Sequence, residues 1–126
     1  MKKVFISVPM NGRTDENIKK SIEKMADITR AMLGEEIEVI DTFIEDDIEA
    51  KNPGVAYLGK SIEKMANADL FVGCNDLYMT NAKYPGCGIE LDVARSYGIP
   101  DILLELRFVC PDIWDEVEKA LYEVRQ

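Results

Sequence analysis

The chain has 126 residues, 47% of them hydrophobic and 31% charged, which fits one soluble globular domain spanning residues 1–126. Its formal net charge of −9 argues against a nucleic-acid polymer as partner, because such polymers are bound through basic surfaces. It contains no histidine, which excludes Ser-His-Asp triads, histidine general bases and most zinc sites.

The first part of the chain alternates strand and helix patterns. Lys3–Val8 is apolar and rich in β-branched residues, which predicts strand 1. Asp15–Leu33 has apolar residues at helical spacing and is followed by Gly34, which predicts helix 1 and its end. Glu36–Asp41 predicts strand 2. Thr42–Ala56 is acidic and then broken by proline and glycine, so we expect a surface loop that can include a helical turn and is long enough to act as a lid.

The second part of the chain continues this alternation. Its predicted segments are helix 2 over Tyr57–Asn67, strand 3 over Asp69–Cys74, a loop over Asn75–Pro85, helix 3 over Gly86–Tyr97, strand 4 over Ile102–Leu106 and helix 4 over Asp112–Val124. Alternating strands and helices favour a parallel sheet of four to five strands in a flavodoxin-like or Rossmann-like three-layer α/β sandwich. In the strand order 2-1-3-4, ligands bind where strands 1 and 3 end.

The loop after strand 1 has the features of an anion site. Gly12 permits a tight backbone path, and the free N–H groups at the start of helix 1 attract an anion. Arg13 adds a forked positive charge that suits phosphate, and Asn11 lies beside it. Ser7 and Met10 line the same mouth. The alternative interpretation is a polar turn with a solvated arginine.

A second group of polar residues surrounds the start of helix 3. Glu90 follows Gly86 and Gly88, two residues that let a ligand or backbone approach closely. We place Glu90 in the first turn, where the helix dipole lowers its pKa and keeps it ionised, as a nucleophile at a sugar carbon requires. The alternative is that Glu90 is only a favourable first-turn residue.

Four further polar residues border strand 3 and the loop after it. Asp69 opens the strand, which puts it at the end of the sheet opposite the predicted mouth, or it simply ends helix 2. Asn75 and Asp76 follow the strand and are better placed for contacts with hydroxyl groups. Tyr84 either stacks on a base or packs the loop down.

The cysteines and apolar runs indicate a compartment. The chain has three cysteines, Cys74, Cys87 and Cys110, which is an odd number, and it has no Cys-x-x-Cys motif. The apolar runs have the length of strands rather than of membrane spans, and strand 1 starts too early to leave room for a targeting segment. We therefore expect a cytoplasmic protein with no membrane partner. No metal or redox cofactor is implied.

Several segments together resemble one enzyme family. Ser7-Val-Pro-Met-Asn-Gly-Arg13, Ala68-Asp-Leu-Phe-Val72, Gly86-Cys-Gly-Ile-Glu90 and Tyr97-Gly-Ile-Pro100 resemble the nucleoside 2-deoxyribosyltransferase superfamily, which includes 2′-deoxynucleoside 5′-monophosphate N-glycosidases. The resemblance spans roughly Lys3 to Leu104.

The resemblance implies a flavodoxin-like homodimer, or larger homo-oligomer, in which a neighbouring subunit completes each site. It implies that Glu90 is the nucleophile, that Asp69 assists at the sugar, and that the loop at Gly12 and Arg13 holds a phosphate. The transferases carry an acidic residue just before the glycine-rich turn, where this chain has Lys83-Tyr-Pro85. This departure disfavours efficient base transfer.

These observations give one leading function and two alternatives. We expect cleavage or transfer at the N-glycosidic bond of a (deoxy)nucleoside or its 5′-monophosphate, with Glu90 as nucleophile. One alternative is a non-catalytic nucleotide-binding or sensing module on the same fold. The other is an interaction protein whose acidic loop meets a basic partner.

Overall fold

The fold is given by a computed structural model that describes residues 1–43, 48–77 and 83–125. Within these residues the strands are β1 (Lys2–Ile6), β2 (Ile37–Val39), β3 (Leu70–Cys74) and β4 (Asp101–Leu104). The helices are α1 (Asp15–Leu33), α2 (Pro53–Met65), α3 (Pro85–Ser96), α4 (Leu106–Val109) and α5 (Trp114–Arg125), with a 3-10 turn at Pro111–Ile113.

The four strands form one parallel sheet in the order β2-β1-β3-β4. In its register, Val4 of β1 lies opposite Val39 of β2 and Leu70 of β3. The predicted order and the flavodoxin-like or Rossmann-like three-layer architecture are therefore confirmed. The carboxyl ends of β1 and β3 are adjacent at the centre of the sheet, where the predicted site residues Ser7 and Asn75 follow them.

Alternation along the strands divides the core between the two faces of the sheet. Val4 and Ile6 of β1 belong to the larger cluster, in which residues of α1 and α5 also lie. Phe5 points to the other face, where its ring stacks on Phe71 with the centroids 5.7 Å apart. That face also holds Met65 of α2 with residues of α3. Ser7 continues the alternation on the side of Phe5, toward α2 and α3.

Helix α1 has the predicted bounds, and its ends follow from local chemistry. The side chain of Thr14 accepts a hydrogen bond from the backbone N–H of Asn17 at 3.1 Å, which caps the amino end. Gly34 ends the helix in a left-handed conformation with φ of 69°, which costs glycine little because it has no Cβ atom.

The start of α2 differs from its prediction. We expected Asn52-Pro-Gly54 to break the chain, yet Asn52 accepts the N–H of Val55 at 3.1 Å and Pro53 occupies the first turn. Proline is favoured there because its missing N–H is not needed. The predicted loop over 42–56 is therefore shorter. Residues 44–47 of that loop, with most of the acidic run, and residues 78–82 of the second predicted loop lie outside the described residues.

The chain after β4 also differs from its prediction. The short helix α4 was not predicted, and the last helix begins at Trp114 after the 3-10 turn rather than at Asp112. Among the helices described here, none is long and apolar enough to cross a membrane.

Candidate functional site

The centre of the candidate site is the carboxylate of Glu90, which is held by two hydroxyl groups from other elements. Ser7, just after β1, donates to Oε1 of Glu90 at 2.8 Å. Ser61 of α2 donates to Oε2 at 2.6 Å. The backbone N–H of Ser7 donates to the carbonyl of Val72 at 2.8 Å, which fixes Ser7 to the neighbouring strand. Three separate parts of the chain therefore converge on one carboxylate at the carboxyl edge of the sheet.

Ser61 is a residue of the site that no sequence motif indicated. It lies three residues after Leu58 and four before Met65, the spacing at which a helix places side chains on one face. Met65 is buried and Leu58 is partly buried, so this face is turned toward the protein. A small polar residue within such an apolar stripe was the available signal, because a hydroxyl turned toward the protein requires a partner.

The electrostatics of Glu90 correct the sequence-based prediction. Helix α3 begins at Pro85, so Glu90 is in the second turn, beyond the region where the helix dipole acts strongly. Its side chain is buried, with a relative exposure of 8% for the residue. Burial raises the pKa of Glu90, while the hydrogen bonds from Ser61 and Ser7 oppose that rise. The pKa is therefore shifted upward, not downward as we expected.

A small cavity lies next to Ser7, the partner of Glu90, and next to Cys87. It has a volume of about 10 Å³, room for roughly one water molecule, and is lined by Ser7, Cys87 and Gly88 among others. Burial raises the pKa of the Cys87 thiol to about 12, and the nearby charge of Glu90 adds to the rise. The thiol is therefore protonated at neutral pH. Of these two groups, the carboxylate is the better nucleophile.

The two glycines of α3 have different surroundings. A Cβ atom on Gly86 would lie 3.7 Å from Cδ1 of Leu58, so this residue sits at the contact between α2 and α3. A Cβ atom on Gly88 would meet nothing within 4 Å. The open space at Gly88 is compatible with the close approach of a ligand, and that role stays a prediction.

The guanidinium of Arg13 binds groups of the protein itself. Its Nε and Nη2 bind the two carboxylate oxygens of Asp112 at 2.9 and 2.7 Å. The same group donates to the carbonyls of Pro9 and Asn17 and to the hydroxyl of Ser21, at 3.0, 3.3 and 2.7 Å. The side chain has an exposure of only 1%. A phosphate would have to displace these partners, so Arg13 acts here as an anchor for the loop that carries it.

The loop after β1 is a tight turn, as predicted. The N–H of Arg13 donates to the carbonyl of Met10 at 3.1 Å, and Gly12 has a φ of 76°, a left-handed value that favours glycine. Asn11 donates to the carbonyl of Lys83 at 3.5 Å, and Met10 is exposed at the surface. The ligand-binding roles of Met10, Asn11 and Gly12 stay predictions.

The remaining predicted residues after β3 have largely structural contacts. Asn75 accepts the N–H of Leu106 at 3.2 Å, which joins the end of β3 to the start of α4. Asp76 has a φ of 68°, a conformation unusual for a residue other than glycine. Tyr84 is buried in the larger core cluster, so its ring packs the loop against the core and is not exposed for stacking on a base. Its hydroxyl finds no hydrogen-bond partner within the described part of the chain.

The structure does not bring Asp69 together with Glu90. Asp69 precedes β3 and accepts the N–H of Lys3 at 2.8 Å, at the amino edge of the sheet. The five residues of β3 separate it from the carboxyl edge, a distance of about 17 Å at the usual rise per residue. The position of Asp69 at the start of β3 thus outweighs the role at the sugar that the motif resemblance implies. Within one chain, Asp69 does not share a site with Glu90.

Comparisons with protein-family models, curated proteins and solved structures found no match for this chain. Within the described residues, no three Cys, Asp or Glu side chains are grouped so that they could hold a metal ion. Any assignment of function therefore depends on the geometry around Glu90 and on the motif resemblance described above.

Proposed function

We propose that this protein cleaves the N-glycosidic bond of a deoxynucleoside or its 5′-monophosphate, with Glu90 as the nucleophile. The observation that carries the proposal is the buried carboxylate at the carboxyl edge of the sheet, held by hydroxyls at 2.8 and 2.6 Å. Parallel α/β sheets bind ligands at this edge, between the strands where their order reverses. The resemblance of the Gly86–Glu90 segment to the nucleoside 2-deoxyribosyltransferase superfamily supports the same reaction.

The reaction proceeds in two displacements at the anomeric carbon. In the first, a carboxylate oxygen of Glu90 forms a bond to that carbon while the carbon–nitrogen bond breaks, and the bonding electrons leave with the base, which takes up a proton from solvent. In the second, water attacks the same carbon, releases the Glu90 carboxylate and gives a proton to solvent. Both transition states carry positive charge on the sugar, which the carboxylate stabilises.

Ser7 and Ser61 have a defined part in this mechanism. Their hydroxyls favour the ionised form of Glu90 against the effect of burial, so the nucleophile stays available in a poorly solvated place. They also fix the orientation of the carboxylate, which lowers the entropic cost of attack. Because both oxygens already have a donor, one hydroxyl must release its oxygen or share it with the sugar as the bond forms.

One observation favours the alternative of a non-catalytic nucleotide-binding or sensing module. The cavity lined by Ser7, Cys87 and Gly88 has a volume of about 10 Å³, whereas small-molecule pockets measure roughly 300 Å³ or more. A nucleoside therefore needs this cavity to open, or it binds outside the cavity and does not reach Glu90. Binding without turnover would be the signature of the second case.

We further propose that the protein is a homodimer or larger homo-oligomer that associates through α2. This helix is rich in apolar residues, yet its only buried residue is Met65. Val55 and Tyr57 of α2 and Ile89 of the adjacent α3 are 64%, 36% and 43% exposed. A second copy on this face would cover them beside Ser61.

The three cysteines are all free, which fits a reducing cytoplasm.

The enzymatic proposal is tested by incubating the protein with a panel of deoxynucleosides, ribonucleosides and their 5′-monophosphates and separating the products by chromatography. Glu90→Gln removes the nucleophile with little change in shape, and Glu118→Gln is a matched control at an exposed glutamate of α5. We expect free base from the wild type and from Glu118→Gln only. Equal release by Glu90→Gln would exclude the proposed mechanism.

A further inference from the structure

Lys83 joins three parts of the chain at the glycine turn after β1. Its carbonyl accepts the side chain of Asn11 in the loop after β1, at 3.5 Å. Its ammonium group pairs with Glu116 of α5 at 2.7 Å and lies 5.7 Å from the ring centroid of Tyr84, the residue that precedes α3. A Cβ atom on Gly12 would lie 3.6 Å from this ammonium group, so the cation sits directly against the glycine turn.

The cation suited to bind an incoming anion at this turn is Lys83 rather than Arg13. The side chain of Arg13 is 1% exposed and its donors are taken by Asp112, Pro9 and Ser21, so releasing it would disrupt the loop. The side chain of Lys83 is 44% exposed, and its partner Glu116 is 48% exposed. An ion pair this exposed contributes little to stability and exchanges partners at low cost.

From this contrast we propose that Lys83 is the residue that selects a 5′-phosphate, and that Glu116 occupies its ammonium group when no phosphate is bound. This inference rests on the proposed function, since it names the part of the substrate that the glycine turn recognises. The carboxylate of Glu116 shows that an anionic oxygen fits within 2.7 Å of the ammonium group in this setting. A phosphate dianion offers a stronger partner than a carboxylate and displaces it.

The position of Lys83 relative to Glu90 is compatible with one bound nucleotide. Lys83 lies two residues before the start of α3, and Glu90 lies about 7–8 Å along the helix axis from Pro85 at the usual rise per residue. In a nucleotide, the sugar ring separates the 5′-phosphate from the anomeric carbon. A sugar phosphate bound across the amino end of α3 would have its phosphate at the glycine turn and its anomeric carbon at Glu90.

The two partners of the ion pair give predictions of opposite sign. Lys83→Gln removes the cation and raises KM for a deoxynucleoside 5′-monophosphate about tenfold, the loss expected for a hydrogen bond between charged groups. Glu116→Gln frees the ammonium group and lowers the same KM several-fold. Neither variant changes KM for the deoxynucleoside that lacks the phosphate, and neither changes kcat, because neither residue touches the reacting carbon.

The experiment measures kcat and KM for a deoxynucleoside and its 5′-monophosphate with the wild type, Lys83→Gln, Glu116→Gln and the control Lys119→Gln, which removes an exposed cation of α5. Melting temperatures verify that all four proteins are folded. A change of monophosphate selectivity in Lys83→Gln no larger than in Lys119→Gln would overturn the inference while leaving the cleavage reaction intact.

Equilibrium binding separates the two proposals if no substrate is cleaved. The same four proteins are titrated with the 5′-monophosphate in a calorimeter. Weaker binding by Lys83→Gln and tighter binding by Glu116→Gln would support phosphate selection and exclude only the proposed cleavage. If none of the four proteins binds the 5′-monophosphate, both the proposed cleavage and the proposed phosphate selection are overturned.

Discussion

Ser7 and Glu90 lie 83 residues apart in the chain, and their side chains are joined by a hydrogen bond of 2.8 Å between Oγ and Oε1. The bond exists because β1 ends at the centre of the sheet and its alternation turns Ser7 toward α3. It connects the loop that was predicted to hold an anion with the carboxylate that was predicted to attack a sugar. The fold therefore places both groups at one sheet edge.

Burial of Glu90 makes a prediction about stability and pH. Its pKa in the folded protein is raised, so the folded state holds this proton more tightly than the unfolded state does. This contribution to stability is present below the unfolded pKa and is lost as the pH rises through the folded pKa. Glu90→Gln, which stays neutral, should raise the melting temperature at pH 7. The gain should shrink toward zero as the pH is lowered to 4.

The measurement is a thermal melt of the wild type and Glu90→Gln across that pH range, with Glu118→Gln as the exposed control. A Glu90→Gln variant that is less stable than the wild type at pH 7 would show that the two serine hydrogen bonds outweigh the cost of burying the charge.

We expect replacement of Ser61 to shift the pH dependence of catalysis. Its hydroxyl donates to Oε2 of Glu90 and favours the ionised form. Ser61→Ala removes that donor, so the pKa of Glu90 rises further and the acid limb of kcat/KM moves to higher pH. We expect a loss of about tenfold or more in kcat/KM at pH 7, the scale of one hydrogen bond to a charged group.

The pH–rate profile of base release is the readout, with Ser96→Ala as a control at an exposed serine at the end of α3. An acid limb in Ser61→Ala that coincides with the wild-type limb would refute the role of this hydroxyl.

The pair of Arg13 and Asp112 should be a major source of stability for the loop after β1. Asp112→Asn leaves a buried guanidinium without its carboxylate, which costs about 3 kcal/mol for a pair of this kind. The hydrogen bond from Arg13 lowers the pKa of Asp112, although burial opposes the shift. The stability that Asp112 provides is thus present above its unfolded pKa and lost as the pH falls through its folded pKa.

Urea unfolding of Asp112→Asn at pH 7 measures this cost. The matched control is Asp115→Asn, an exposed aspartate in the first turn of α5, for which we expect a loss of a few tenths of a kcal/mol. Equal losses in the two variants would mean that Arg13 finds other partners.

Asp69 gives a prediction that separates the motif resemblance from the geometry. The resemblance implies a role at the sugar, but Asp69 lies at the amino edge and holds the N–H of Lys3. We expect Asp69→Ala to cost about 1 kcal/mol of stability, for one lost hydrogen bond, and to leave kcat within twofold. A large loss of kcat in a folded Asp69→Ala protein would favour the role that the motif implies.

The sequence predicts the fold well because the strands and helices of this chain carry consistent local patterns. Helix α1 has the predicted bounds since its apolar spacing, Thr14 cap and terminal Gly34 all agree. The start of α2 was missed because Asn52 and Pro53 are ambiguous, being common both in turns and at the first turn of a helix.

The site was less predictable because it depends on contacts between distant segments. Glu90 was identified from its glycine context, but the sign of its pKa shift depends on burial, which no local pattern reports. Ser61 has no motif of its own, and its role follows only from the packing of α2 against α3. Arg13 was expected to be solvated or bound to phosphate, and its partner Asp112 follows it by 99 residues.

In the proposed reaction, a carboxylate oxygen of Glu90 bonds to the anomeric carbon. The most direct measurement is mass spectrometry of the wild-type protein, quenched with acid during turnover of a deoxynucleoside 5′-monophosphate and then digested. We expect a deoxyribose phosphate adduct on the peptide that contains Glu90, and no adduct in Glu90→Gln. Rapid base release with no adduct on that peptide, or with an adduct on another residue, would contradict it.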